Sequence, residues 1–102
     1  MTEQERLVLV EAWLPDARLW VRRSSDKFDD ELRQTLGACV LDLWGAGVRK
    51  IFAEDPLLKQ AAKLYVKGNF GYDEQSEKWN AAYEHLKASL SLSDDYRGSA
   101  NG

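Results

Sequence analysis

The sequence predicts an all-α protein, a small bundle of three to four helices with short loops and a flexible C-terminal tail. Two observations support this class. Apolar residues recur at steps of three and four along three separate segments, which is the period of a helix with one buried face. No pair of segments shows the alternation expected of paired strands. A chain of 102 residues fits one domain, here taken as residues 1–102.

The first periodic segment predicts a helix that begins near Asp26. Asp26 is a candidate N-cap, and the acidic residues just after it suit the first turn of a helix. Gly45 and Gly47 mark its end. The predicted apolar face consists of Phe28, Leu32, Leu36, Cys39, Val40 and Leu43.

A second helix is predicted to start at Asp55-Pro56. Aspartate caps a helix, and proline is well tolerated at the first helical position because its missing N–H would have had no partner there. The apolar stripe is wide, which indicates an inner helix, and Gly68 and Gly71 mark the turn after it. The stripe comprises Leu57, Leu58, Ala61, Ala62, Leu64 and Tyr65.

A third helix is predicted from about Asp73 to Leu92. Glu74 and Glu77 lie near its start, where negative charge is favourable. Its predicted apolar face consists of Trp79, Ala82, Tyr83, Leu86 and Leu90.

Both ends of the chain are less regular. Thr2 with Glu5 fits a capping box, but the following apolar run fits either a helix or a short strand, and Pro15 interrupts both. We therefore expect a short helix around Ala17 to Arg22, with residues 1–18 as an N-terminal extension of uncertain form. Residues 94–102 are polar and contain glycine, so we expect a flexible tail unless a partner orders them.

Charge and cysteine content limit the possible functions. The net charge of −3 and the pI near 5.1 argue against a protein that mainly binds free DNA. The single cysteine cannot form an internal disulfide, so a reducing compartment is expected. No window approaches the length of a membrane span, and the acidic start is unlike a signal peptide. These features predict a protein that is cytosolic when it is made.

No catalytic constellation can be written from the sequence. His85 is the only histidine, and its surroundings match no motif. Cys39 lies on an apolar stripe, where cysteine acts as a small hydrophobic residue. The acidic cluster after Asp26 lacks the spacing of a calcium loop. We expect neither an enzyme nor a cofactor or metal site.

Two sets of residues are candidates for a channel or an interface. The first is a basic line along the second helix, which is either a solvated face or a surface for phosphate or an acidic neighbour. The second is a set of aromatic residues near helix ends, which either close the bundle or contact another subunit. The two sets are Lys59, Lys63 and Lys67, and Trp44, Phe70 and Tyr72.

Three stretches together resemble a known family. They are LWVRRSSDKFDDELRQTLGACVLDLWGAGV at 19–48, DPLLKQAAKLYVKGNFGYD at 55–73 and YEHLKASLSLSDDY at 83–96. In order and spacing they resemble the phage head–tail connector family, also known as phage DNA-packaging proteins. The likeness covers roughly residues 19–96. The chain departs from the family by its additional N-terminal residues and by Arg23, where a hydrophobic residue is expected.

The resemblance implies a structural, non-enzymatic virion or prophage protein. It implies a ring of about a dozen copies that joins the portal protein to a tail or head-completion protein and lengthens the channel through which DNA passes. The expected location is the virion, with assembly in the cytoplasm of a bacterial host and no membrane association. The alternative is a small helical DNA-binding regulator, although the acidic start of the last helix is unlike a recognition helix.

Overall fold

The computed structural model describes residues 1–22, 26–71 and 73–98. Over these ranges the chain is helical with short connections and contains no strand, which confirms the predicted all-α class. One hydrophobic core draws side chains from each of the four long helices. The helices are α1 (Glu3–Trp20), α2 (Asp29–Gly45), α3 (Pro56–Asn69), α4 (Ser76–Leu92) and the short α5 (Asp94–Arg97).

Helix α1 corrects the prediction for the N-terminal region. The predicted short helix from Ala17 to Arg22 is wrong, because a single helix runs from Glu3 to Trp20 and contains Pro15. The predicted capping box is present, since the Glu5 N–H donates to Thr2 Oγ1 at 3.1 Å and the Thr2 N–H donates to Glu5 Oε1 at 3.1 Å.

Burial explains why the helix continues through the proline. Because proline has no N–H, the backbone carbonyl four residues before Pro15 lacks its usual helical partner. Pro15 is exposed, so water can bond this carbonyl instead. The opposite face is apolar and packs in the core, and this packing favours an unbroken helix. The buried residues of α1 are Leu9, Val10, Trp13, Leu14 and Ala17.

Helix α2 begins three residues later than predicted. Asp26 does not cap it, because residues Asp26–Phe28 form a 3₁₀ turn and the cap position is Phe28, without a side-chain hydrogen bond. Asp29 instead accepts two bonds from Arg18 of α1, Nε to Oδ1 at 2.9 Å and Nη2 to Oδ2 at 2.5 Å. This bidentate pair links the end of α1 to the start of α2, and the two helices run antiparallel. The predicted end at Gly45 is confirmed.

Helix α3 is the inner helix that its wide stripe predicted. Asp55 caps it by accepting from the N–H groups of Leu57 at 2.8 Å and Leu58 at 3.2 Å, and Pro56 occupies the first turn. The helix contacts each of the other three long helices. Its buried residues are Leu58, Ala61, Ala62, Leu64 and Val66.

Helix α4 starts at Ser76 rather than Asp73. The Asp73 side chain accepts from the Gln75 N–H at 2.7 Å, which stabilises a turn ahead of the helix. Helix α4 runs antiparallel to α3, with Tyr65 against Tyr83 at a ring-centroid distance of 5.0 Å. Of the predicted apolar face, Tyr83 and Leu90 are buried, Trp79 and Leu86 are half-buried, and Ala82 is exposed.

The C-terminal segment differs from the expected flexible tail over residues 94–98. Residues Asp94–Arg97 form α5, and the Tyr96 carbonyl accepts from the N–H groups of Arg49 at 2.7 Å and Lys50 at 3.1 Å. These bonds join the segment to the loop between α2 and α3, a contact that local sequence patterns do not reveal. Residues 99–102 of the expected tail lie outside the described residues.

Candidate interaction surfaces

The three lysines of the basic line are half-buried on α3. Lys59 lies 3.3 Å from the Asp16 carboxylate of α1, and Lys67 lies over the Trp79 ring at 5.0 Å from its centroid. Two of the three charges are therefore engaged within the chain. Of the three lysines, Lys63 is the one most available to bind a group outside the chain.

The candidate aromatic residues lie in different surroundings. Trp44 is half-buried at the end of α2 and stacks under the Arg49 guanidinium, with Cζ 4.3 Å from the ring centroid. Phe70 follows α3 and packs edge-on against Phe28 at 6.3 Å. Both contacts are made within the chain and lie near helix ends. Tyr72 lies outside the described residues.

Lys67 and Phe70 come together in a cleft of about 340 Å³ between the end of α1 and the α3–α4 turn. Two tryptophans lie on its walls, and Asp73 accepts from the Trp79 indole N–H at 3.2 Å. The walls thus combine apolar rings with charges of both signs. The lining residues are Trp20, Val21, Arg22, Lys67, Phe70, Gly71, Asp73, Gln75 and Trp79.

A polar cluster joins α4 to α2. The Tyr83 hydroxyl donates to Asp42 Oδ2 at 2.6 Å, and Lys87 Nζ lies 2.9 Å from the same oxygen and 2.8 Å from Glu84 Oε2. Burial alone would raise the pKa of Asp42, but the hydrogen bonds from Tyr83 and Lys87 outweigh it and the pKa falls below its ordinary value. Asp42 is therefore an ionised acceptor at neutral pH.

Neither Cys39 nor Tyr83 has the chemistry of a nucleophile. Burial raises the pKa of Cys39 to about 12 and also raises that of Tyr83, so both stay protonated at neutral pH. His85 is exposed on α4, apart from this cluster. Within residues 1–22, 26–71 and 73–98, no group of three metal-ligating side chains has the geometry to hold an ion. The cluster acts as a structural link between helices.

Large exposed apolar side chains are the surface feature that sequence reasoning missed. Phe52 is 61% exposed and Leu92 is 78% exposed, although both types of residue favour the interior. For Leu41 the sequence does indicate exposure, because this residue lies off the apolar stripe of its helix. The exposed set is Leu7, Val8, Leu19, Leu41, Phe52, Leu57 and Leu92.

The contact between α5 and the α2–α3 loop also includes a side-chain hydrogen bond. The Tyr96 hydroxyl donates to the Asp55 carboxylate, 3.0 Å from Oδ2 and 3.2 Å from Oδ1. Burial and this bond raise the pKa of Tyr96. Asp55 thus serves both as the cap of α3 and as the acceptor for the C-terminal segment.

The fold and surfaces define a small all-α protein with apolar side chains exposed on several elements. A family model described as phage connector protein matches residues 17–97. The chain therefore belongs to the phage connector protein family and has the role of a structural connector protein of a phage, which confirms the resemblance noted in the sequence. No curated protein and no solved structure matches the chain. None of the helices described is long and apolar enough to cross a membrane.

Proposed function

We propose that this protein is a subunit of a head–tail connector ring. About a dozen copies form the ring, which joins the portal protein to a tail or head-completion protein and lengthens the DNA channel. The observation that carries the proposal is the family match over residues 17–97, which spans α2, α3, α4 and α5. The protein is made in the cytoplasm of a bacterial host and ends in the virion.

The distribution of exposed apolar residues supports assembly. A head-to-tail interface closes into a ring only when each subunit has two different complementary patches. Apolar side chains are exposed on α1 at Leu7 and Val8, on α2 at Leu41, and around the α2–α3 loop at Phe52 and Leu57. A chain of 102 residues also has a small core, so burial of these residues against neighbours adds stability that the monomer lacks.

The charge of the chain suits passage of DNA rather than its retention. With a net charge of −3, the subunit does not hold phosphates tightly, and a channel needs no contact with base edges. Lys63 is our candidate for a channel-lining cation, because Lys59 and Lys67 have partners within the chain. The alternative of a DNA-binding regulator has weaker support, since α4 begins with Ser76 and Glu77.

Removal of the gene from its phage tests this function. We expect heads that do not join to tails, and we expect a plasmid copy of the wild-type chain to restore tailed particles. The matched control is a plasmid copy with a stop codon early in α1. Normal tailed, infectious particles without the protein would contradict the proposal.

A further inference from the structure

Helix α1 exposes an apolar stripe on the side that faces away from the core. Its members are Val8, Ala12, Pro15 and Leu19, which we call the seam, and steps of four, three and four residues place them on one face of the helix. All four are exposed, Val8 at 61% and Leu19 at 75%. Single apolar residues are common on protein surfaces, whereas a continuous stripe of them indicates contact with another molecule.

Contacts on both flanks of α1 fix the direction in which the seam faces. On one flank, Arg33 of α2 donates through Nε to Glu11 Oε1 at 2.6 Å. On the other flank, Asp16 lies 3.3 Å from Lys59 of α3. The buried residues of α1 lie on the opposite side of the helix. The seam runs between the two flanks, so neither α2 nor α3 covers it.

The spacing of the seam is the same in both directions along the helix, and this favours a second copy of the chain as the partner. When a second α1 lies antiparallel against the first, Val8 meets Leu19 of the other copy, and Ala12 meets Pro15 of the other copy. Each contact occurs twice, because a twofold axis passes between Ala12 and Pro15. The small Ala12 leaves room for the proline ring, so the two helices can approach closely. Such self-complementarity is what a symmetric dimer requires.

Charge favours the antiparallel orientation over the parallel one. Glu5 lies three residues before the seam and Arg22 three residues after it, and both are exposed. In the antiparallel pair Glu5 of each copy comes beside Arg22 of the other, and Glu11 comes beside Arg18 of the other. Glu11 and Arg18 each have an ion-pair partner on α2, so pairing joins these ion pairs into a network. A parallel pair would instead place Glu5 beside Glu5 and Arg22 beside Arg22.

We propose that two copies of the chain pair through their seams, with the two α1 helices antiparallel. Only one helix of each copy takes part, and interfaces below about 1,200 Å² are typical of weak complexes, so the pair dissociates on dilution. Most of the seam precedes residue 17, where the family match begins, so the match gives no account of it.

The pairing goes beyond the ring proposed above and does not depend on it. A pair uses the same patch on both copies, whereas a ring needs two different patches on each. Of the apolar residues that we assign to ring assembly, Val8 alone belongs to the seam. Leu7, Leu41, Phe52 and Leu57 therefore stay available for ring contacts.

Cross-linking between two single-cysteine variants tests the orientation of the pair. V8C and L19C chains are mixed without the portal protein and oxidised, or treated with a short bismaleimide. We expect dimers that contain one chain of each variant, because the antiparallel pair brings positions 8 and 19 of different copies together. V8C mixed with A81C, at an exposed position of α4, is the control and should give no such dimers. The unmodified chain is the control for the fully buried Cys39.

Two results of this experiment would overturn the proposal. The first is absence of the mixed dimer at concentrations where the unmodified chain associates. The second is an equal yield of dimers from V8C alone, since only a parallel pair brings two copies of position 8 together.

Leu19→Asp gives a second and independent result. Native mass spectrometry without the portal should show dimers of the unmodified chain that increase with concentration. We expect Leu19→Asp to weaken the dimer about a hundredfold, because a symmetric pair loses the leucine twice and buries two charges. Leu92→Asp, at an exposed leucine outside the seam, is the control and should pair as the unmodified chain does. Circular dichroism checks that both variants keep their helices.

This measurement also separates the pair from the ring. Equal dimerisation of Leu19→Asp and the unmodified chain, or no dimer of the unmodified chain at any concentration, would overturn the pairing. Neither result contradicts the ring, which is measured by assembly of the unmodified chain with its portal.

Discussion

The Tyr83 hydroxyl lies 2.6 Å from Asp42 Oδ2 and links α4 to α2. Helix α4 packs mainly on α3, and the bond from Tyr83 adds a polar link to α2. Lys87 joins the same carboxylate at 2.9 Å and keeps it ionised. The contact holds α4 on α2, and α5 follows α4 after Ser93 alone.

Loss of the Asp42 carboxylate should destabilise the fold. Asp42→Ala leaves the buried Tyr83 hydroxyl without its acceptor, and we expect a loss of about 1–3 kcal/mol in the free energy of unfolding. Tyr83→Phe removes the donor together with the bond, so we expect a smaller loss of about 1 kcal/mol. Urea unfolding measures both. Gln34→Ala, at an exposed position of α2 outside the cluster, is the control, and an equal loss in all three variants would contradict this account.

Stability should fall at acid pH through Asp29 and Asp42. The hydrogen bonds from Arg18 hold the pKa of Asp29 below the ordinary value of an aspartate, and the pKa of Asp42 is also lowered. A carboxylate whose pKa is lower in the folded state than in the unfolded state stabilises the fold fully above its unfolded-state pKa. This stabilisation is lost as the pH falls through the folded-state pKa. We expect a constant urea midpoint from neutral pH down to about pH 5 and a decline below about pH 4.

Asp29→Asn should make this acid decline shallower, because the substituted group no longer titrates. Asp94→Asn, at a fully exposed side chain, is the matched control and should leave the decline unchanged. A decline of the same depth in Asp29→Asn would show that the pair with Arg18 does not contribute to acid sensitivity.

The N-terminal part of α1 should be essential to the core although the family match begins only at residue 17. Trp13 is fully buried, and its indole N–H donates to the Ala53 carbonyl at 2.9 Å. We expect Trp13→Ala to cost about 3–5 kcal/mol. Leu7→Ala, at a position 46% exposed, should cost much less in the same thermal and urea unfolding measurements. Similar costs at both positions would contradict the assigned burial.

Replacement of Pro15 should stabilise the monomer. Proline inside a helix costs about 3 kcal/mol, and part of this is offset because proline also restricts the unfolded chain. We expect Pro15→Ala to raise the free energy of unfolding by about 1–2 kcal/mol. Pro56→Ala, at the first position of α3 where proline is favoured, is the control and should bring no gain. A loss of stability in Pro15→Ala would contradict this expectation.

Local sequence patterns are sufficient to predict that α2, α3 and α4 exist, but not where α2 and α4 start. The Asp55-Pro56 start and the wide stripe of α3 are properties of neighbouring residues, and both were confirmed. Asp26 is a plausible cap by residue type, but it lies in a 3₁₀ turn, and α2 starts at Asp29, where a bond from Arg18 is made. That bond joins two helices, so residue spacing within either one does not reveal it.

The errors at both ends of the chain have the same cause. Pro15 argued against a helix locally, whereas burial of Trp13 and its neighbours in the core favours one. The C-terminal segment looked like a free tail because its bonds reach back from Tyr96 to the loop around Arg49. Of the exposed apolar residues that we assign to assembly, Leu41 lies off the apolar stripe of α2 and is indicated by the sequence, whereas exposure of the others is visible only once the helices are placed. All six channel or interface candidates remain predictions: Lys59, Lys63, Lys67, Trp44, Phe70 and Tyr72.

The most direct test of the connector ring is the mass of the assembly in solution. Light scattering and native mass spectrometry would follow the unmodified chain across concentrations, alone and with the portal protein of its phage. The account predicts a closed species of about a dozen copies, alone or on the portal. A monomer that persists at every concentration and ignores the portal would contradict it.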